Sequence, residues 1–120
     1  MTNQPWLPEL DALTAAPENH TLLFENDRVR VLDTIIQPGQ TTPLHTHRWP
    51  AALYVLSVGD FIRRDENGSV TLDSRTSPPL SPGAALWIPP IPPHTLENIG
   101  DNEIRIIAVE LKNHNGGILS

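Results

Sequence analysis

Three histidines in two separated patches carry the chemistry of this chain. His45 and His47 stand in PGQTTPLHTHRWPAALYVLSVG (residues 38–59), and His94 stands in SPGAALWIPPIPPHTLENIG (residues 81–100). Side chains on an extended strand alternate between faces, so an H-x-H pair throws both imidazoles to one side. At a rise of ~3.3 Å per residue the two lie ~6.6 Å apart along the strand. Their rings can still converge on one ion ~2.0–2.1 Å from each nitrogen. A third imidazole from a distant strand closes a site that two cannot. The expected ligands are therefore His45, His47 and His94, around a divalent metal ion (Fe, Zn, Ni or Mn), because neutral imidazole suits such cations. His20 and His114 lie outside both patches and read as surface residues.

Other side chains near the patches are weaker candidates. Trp49 continues the alternation of His45 and His47 and so faces the site, and Trp87 lies close to the second patch. Both are candidate pocket walls. Tyr54 could donate a hydrogen bond or exchange a proton through its phenol. Arg48 and Arg105 could clamp a carboxylate, since guanidinium matches it bidentately. Tyr54 and Arg48 are the weak catalytic candidates. Glu97 and Glu110 are the acids near the second patch and the last strand, and they read as exposed strand residues rather than general bases. No glycine-rich phosphate loop follows a strand, and no serine stands in a nucleophile elbow.

The elements that must position these residues are short. Thirteen prolines and seven glycines punctuate 120 residues, and short runs between frequent turn signals predict an all-β sandwich or barrel. Strands are expected at 20–25, 28–37, 41–47 and 51–59. A hairpin follows over 60–73, turning at Asp65–Gly68. Further strands are expected at 83–90, ended by prolines, at 94–100 and at 103–112. A helix is expected only over residues 7–16, bracketed by Pro8 and Pro17. The organisation is an N-terminal extension with a short helix (1–19), one barrel (20–112) and a C-terminal tail (113–120). Many short antiparallel strands must hide their edges, and closure does so.

Composition narrows the function. The net charge is −6, with one lysine and seven scattered arginines. Nucleic acid is not an expected partner, since phosphate binding wants a basic face. The chain has no cysteine, so any metal must use histidine, carboxylate or water. No stretch approaches the ~20 apolar residues of a membrane span. The N-terminus lacks a basic region followed by an apolar run. A cytoplasmic protein with a small-molecule substrate or ligand, no membrane partner and homodimeric assembly is expected.

Taken together, the two patches resemble the paired motifs of the cupin superfamily. Gly39, His45-Thr46-His47 and Gly59 fall at the spacings of the first motif. Gly83, Pro89, His94 and Asn98 fit the second, with Ile91 where a glycine usually stands. The motifs cover about half the chain, and the whole looks most like small single-domain cupins of the β-alanine-degradation-operon type. The resemblance implies an antiparallel β-barrel or jelly roll with a metal site. Superfamily members usually add a glutamate after the histidine pair. Its counterpart here is Ala51 or Ala52, so the resemblance implies a three-histidine site. It also implies chemistry of the Fe(II) dioxygenase kind, with metal-assisted isomerisation or lyase chemistry, or non-catalytic ligand sensing, as alternatives.

Overall fold

Short strands separated by tight turns make up most of the computed structural model, which describes residues 6–112. A 3-10 turn at Pro8–Leu10 and a one-turn helix α1 (Ala12–Ala15) precede the strands. The strands are β1 (His20–Glu25), β2 (Val29–Ile36), β3 (His45–His47), β4 (Ala51–Ser57), β5 (Phe61–Asp65), β6 (Val70–Asp73), β7 (Ala85–Ile88), β8 (Ile91–Asn98) and β9 (Ile104–Leu111). They form a five-stranded sheet, β1-β2-β9-β4-β7, and a four-stranded sheet, β3-β8-β5-β6. All named strand pairs are antiparallel. This is the all-β jelly roll with a short N-terminal helical segment that the sequence implies.

Two elements differ from expectation, both because of proline. The strand expected over 41–47 is reduced to β3, with Thr41 making only an isolated bridge to Glu97. Pro43 interrupts the ladder because it has no N–H to donate. Conversely, β8 runs through Pro92 and Pro93 instead of beginning at His94. His45 pairs with His94 and His47 with Ile91. Two prolines therefore oppose the single residue Thr46, and a bulge tolerates residues that cannot join the ladder.

The N-terminal segment is packed into the barrel wall. Asp11 caps α1 by accepting from the Leu13 N–H at 3.1 Å and bridges to Thr46. Ala12 is fully buried against Leu32 and Ala108. No helix among the described residues is long and apolar enough to cross a membrane.

The turn residues have separate physical tasks. Gly39 and Gly83 take positive φ angles of 83° and 89°, which side chains with a Cβ adopt at a cost. Asn98, with no exposed surface, donates to the carbonyls of Ile36 (2.9 Å) and Asn102 (2.8 Å) and accepts from the Gly100 N–H (3.0 Å). That closes the turn after β8 on itself and ties it to the end of β2. A Cβ on Gly59 would stand 2.8 Å from the Asn102 carbonyl oxygen. Gly59→Ala is therefore expected to cost about 1–3 kcal/mol, the range for overpacking, measured as a lowered midpoint in urea unfolding. An unchanged midpoint would mean that this turn yields freely.

Candidate metal centre

The inward faces of the two sheets enclose a cavity of about 180 Å³. Its walls are mostly aliphatic, with Leu53, Leu86 and Ile106 from the larger sheet and Leu72 and Leu96 from the smaller. Four imidazoles and one carboxylate share this space: His20, His45, His47, His94 and Glu110.

The imidazoles form one cluster. The ring of His45 lies 4.3 Å from that of His94, 4.9 Å from His20 and 5.0 Å from His47. His47 is 5.4 Å from both His20 and His94. The candidate ligand atoms of His20, His45 and His47 all lie within 4.8 Å of one another, so these three could hold a metal ion. His45 and His94 meet because β3 and β8 pair them directly.

His20 corrects the sequence reading, which placed it on the surface. It is 4% exposed. Its β2 partner is Thr34, whose side chain lines the cavity, so the pleat turns His20 inward with it. Nothing within the segment HTLLFE announces this, because the register with β2 decides the face.

Each imidazole is anchored through Nδ1. His45 bonds the carbonyl of Pro43 (2.8 Å), His94 that of Pro92 (2.8 Å), and His20 that of Ala16 (3.0 Å). His47 Nδ1 meets Glu110 Oε2 at 3.2 Å. An acceptor at Nδ1 places the proton there and leaves the Nε2 lone pair free. No Nε2 of the four has a hydrogen-bond partner among the described residues. None is sealed off either, because among the described residues no fully enclosed side-chain nitrogen or oxygen lacks a partner. The lone pairs therefore open onto the cavity. In two cases the anchor is a Pro-x-His pattern, Pro43-Leu44-His45 and Pro92-Pro93-His94, which the sequence displays twice.

Glu110 is the second correction. It was expected to be exposed and is 1% exposed. Arg30 Nε donates to its Oε1 at 2.7 Å, and Arg30 also holds both carboxylate oxygens of Asp11 at 3.0 Å. In the sheet Glu110 stands between Arg30 on β2 and Ala51 on β4. Ala51 lines the cavity and is 3% exposed, whereas Ala52 faces out. Position 51 thus offers no carboxylate, and Glu110 on the neighbouring strand is the carboxylate that lines this part of the cavity among the described residues. It is committed to Arg30 and to orienting His47.

The weaker candidates lie elsewhere. Tyr54 and Trp87 are 47% and 55% exposed on the outer face of the larger sheet, opposite the cavity-facing Leu53 and Leu86. Trp49 is half-buried outside the cavity, with the guanidinium of Arg30 5.1 Å from its ring. Alternation fails there because β3 ends at His47. Arg48 is exposed and stacks on Trp6 at 4.2 Å. Arg105 pairs with Asp33 (2.7 Å) and Arg64 with Glu97 (2.9 Å). His114 falls outside the described residues.

Fold and histidine cluster define the class, and comparison with known proteins agrees. Residues 32–110 match the cupin domain family, and the chain belongs to it. A cupin domain from Bordetella pertussis Tohama I superposes with a TM-score of 0.63 at 26% identity, over 78% of this chain and 91% of that one. The polyketide cyclase RemF of Streptomyces resistomycificus shares the fold with a TM-score of 0.54 at 22% identity, over 92% and 80% of the two chains. An uncharacterised protein of Methanocaldococcus jannaschii is 27% identical over 88 residues, covering 73% of this chain. The match spans 64% of that relative's length.

Burial sets the protonation of the cluster. It pushes His20 and His45 down to about 4, His47 to about 3 and His94 to about 2, with neighbouring imidazoles adding to the effect. Burial pushes the Glu110 carboxyl up, against the pull of Arg30. All four imidazoles are therefore neutral at pH 7. As pH falls below the ordinary 6.5, the unfolded chain takes up protons that the folded cluster refuses. Stability of the metal-free protein should then decline from pH ~6.5 towards pH ~4. Thermal melts across that range check this, and a flat melting temperature would mean that the folded cluster already carries charge.

Proposed function

We propose that this cupin is a metal-dependent enzyme that uses His20, His45, His47 and His94 to hold a divalent ion, Fe(II) by preference, and catalyses dioxygenation of a small organic substrate. The observation that carries the reading is the anchoring of all four Nδ1 atoms, which leaves four Nε2 lone pairs on one cavity. A divalent ion held there would supply a Lewis acid for a substrate oxygen, and iron would add the capacity to activate dioxygen.

The chain's own residues favour this over isomerase or lyase chemistry. Proton-transfer reactions need an acid or base that is free to exchange a proton. Apart from the imidazoles, the titratable groups lining the cavity are Arg63 and Glu110. Glu110 is occupied by Arg30 and His47, and a guanidinium does not exchange its proton near neutrality. The aliphatic walls exclude water and protect reactive species from it.

The same lack of a free acid or base supports a second reading, a non-catalytic ligand-binding cupin. Two measurements separate the readings. Elemental analysis after anaerobic iron loading should find about one ion per chain, and much less in His20→Ala, His45→Ala, His47→Ala and His94→Ala. Metal content unchanged in all four variants would sink the metal reading. Oxygen uptake with a panel of thiols, diketones and small acids should then appear. Binding without uptake supports the sensor, and turnover without oxygen supports isomerase or lyase chemistry.

Homodimeric assembly is part of the proposal. Leu22, Leu23 and Phe24 on the edge strand β1 are 43–53% exposed, and Tyr54, Leu56 and Trp87 add apolar surface on the outer sheet face. Light scattering should give about twice the 13.3 kDa chain mass, and a clean single-chain mass would exclude it.

A further inference from the structure

The arginines of this chain fall into three groups. Arg30, Arg64, Arg75 and Arg105 each hold a carboxylate. Arg28 and Arg48 are exposed. Arg63 belongs to neither group. It is half-buried and lines the cavity, with no carboxylate at ion-pair distance among the described residues. Its side chain makes one hydrogen bond, from Nε to Thr71 Oγ1 at 3.3 Å. Both Nη groups lack an acceptor among the described residues. Burial, with no carboxylate opposing it, pushes the guanidinium below its ordinary value. A partly desolvated, unpaired charge is costly, and a ligand can supply the missing partner.

The strand register aims Arg63 at the histidines. On β5 it stands opposite Leu96 of β8, and Leu96 faces the cavity. His94 is two residues further along β8, on the same face. With strands ~4.8 Å apart and ~3.3 Å per residue, the Cα atoms of Arg63 and His94 are roughly 8 Å apart. An extended arginine side chain spans most of that gap. Its charge is felt at both His47 and His94.

Charge balance points to the sign of the occupant. Around the site, Asp11 and Glu110 offset Arg30 and Arg63, and the imidazoles are neutral. A divalent ion adds two positive charges that no side chain lining the cavity cancels. The rest of the cavity is aliphatic. A cavity of ~150 Å³ holds benzene, so about 180 Å³ takes a body slightly larger than one six-membered ring.

We propose that Arg63 is the anion-recognition residue of this pocket, and that the substrate is a small monocarboxylate with an apolar body whose carboxylate lies against the Arg63 Nη groups. The substrate class rests on the metal-dependent reading above, while the Arg63 subsite can be tested without it. Neither Arg48 nor Arg105 can serve, since both face away from the cavity.

Calorimetric titration with benzoate and its neutral counterpart benzamide tests this, on metal-free and zinc-loaded protein. Wild type is expected to bind benzoate at least ~10-fold more tightly than benzamide, the scale of a charge-assisted bidentate contact. Arg63→Met and Arg63→Gln should each lose that preference in both metal states, with benzamide affinity within about twofold of wild type. Equal affinity of wild type for the two probes, or binding of neither, overturns the proposal. So does a benzoate preference that survives both substitutions, because the anion is then held by the ion alone. If the protein proves to bind no metal, a preference in the metal-free state that Arg63 variants abolish still upholds the subsite. In that case only the metal reading falls.

Discussion

A buried carboxylate that cannot be left alone organises this molecule. Glu110 is 1% exposed in the wall of an apolar cavity, where an unpaired charge is prohibitive. Arg30 satisfies one oxygen and Asp11 in turn steadies Arg30. Each partner comes from a different part of the chain: Asp11 from the cap of α1, Arg30 from β2 and Glu110 from β9. The network therefore fixes the N-terminal segment to the sheet. Removing one member of such a network leaves its neighbours buried and unpaired, which costs about 3–5 kcal/mol elsewhere. Replacing all three by apolar groups would cost far less. Retaining the charges makes sense only if something uses them, and the second oxygen of Glu110 is used by His47.

That use explains why the site differs from the four-ligand pattern of its family. A carboxylate at position 51 would lie beside Glu110, because the two positions pair across β4 and β9. Two carboxylates side by side repel and raise each other's proton affinity. With alanine at 51, one carboxylate stays committed to holding an imidazole, and His20 takes a place among the rings. The imidazole donors are all neutral, so a cation held there would keep its charge uncancelled and would act as a stronger Lewis acid.

What could be read from the sequence follows from the range over which each feature is decided. The strand HTLLFE, the hairpin turning at Asp65–Gly68 and the meeting of His45, His47 and His94 rest on local alternation and motif spacing, and the structure has each of them. His20 and Glu110 were misplaced because their faces depend on pairing across β1–β2 and β2–β9–β4, which no local pattern encodes. The face that Arg63 takes is set in the same way. Its inward orientation comes from its place opposite Leu96, and next to Arg64 it looks like one of two surface charges. One further signal is local. The repeated Pro-x-His pattern puts a carbonyl two residues before His45 and His94, where it accepts from Nδ1.

The proline carbonyls show how the fold spends irregularity where the chemistry needs it. In a regular ladder a carbonyl bonds a neighbouring strand's N–H, and a histidine side chain would have to find another acceptor. Pro92 and Pro93 force the bulge opposite Thr46, and Pro43 interrupts the strand before His45. Both breaks release a carbonyl from sheet pairing close to an imidazole. The rings are then held by the backbone itself, which shifts less than a side chain partner would. Only His47 depends on a side chain, and that side chain is clamped by Arg30. The cluster is thus held with its ring orientations fixed by the backbone and by the Arg30–Glu110 clamp. Four buried neutral imidazoles in mutual contact gain little from one another, so the arrangement is a cost to folding that binding a cation would offset.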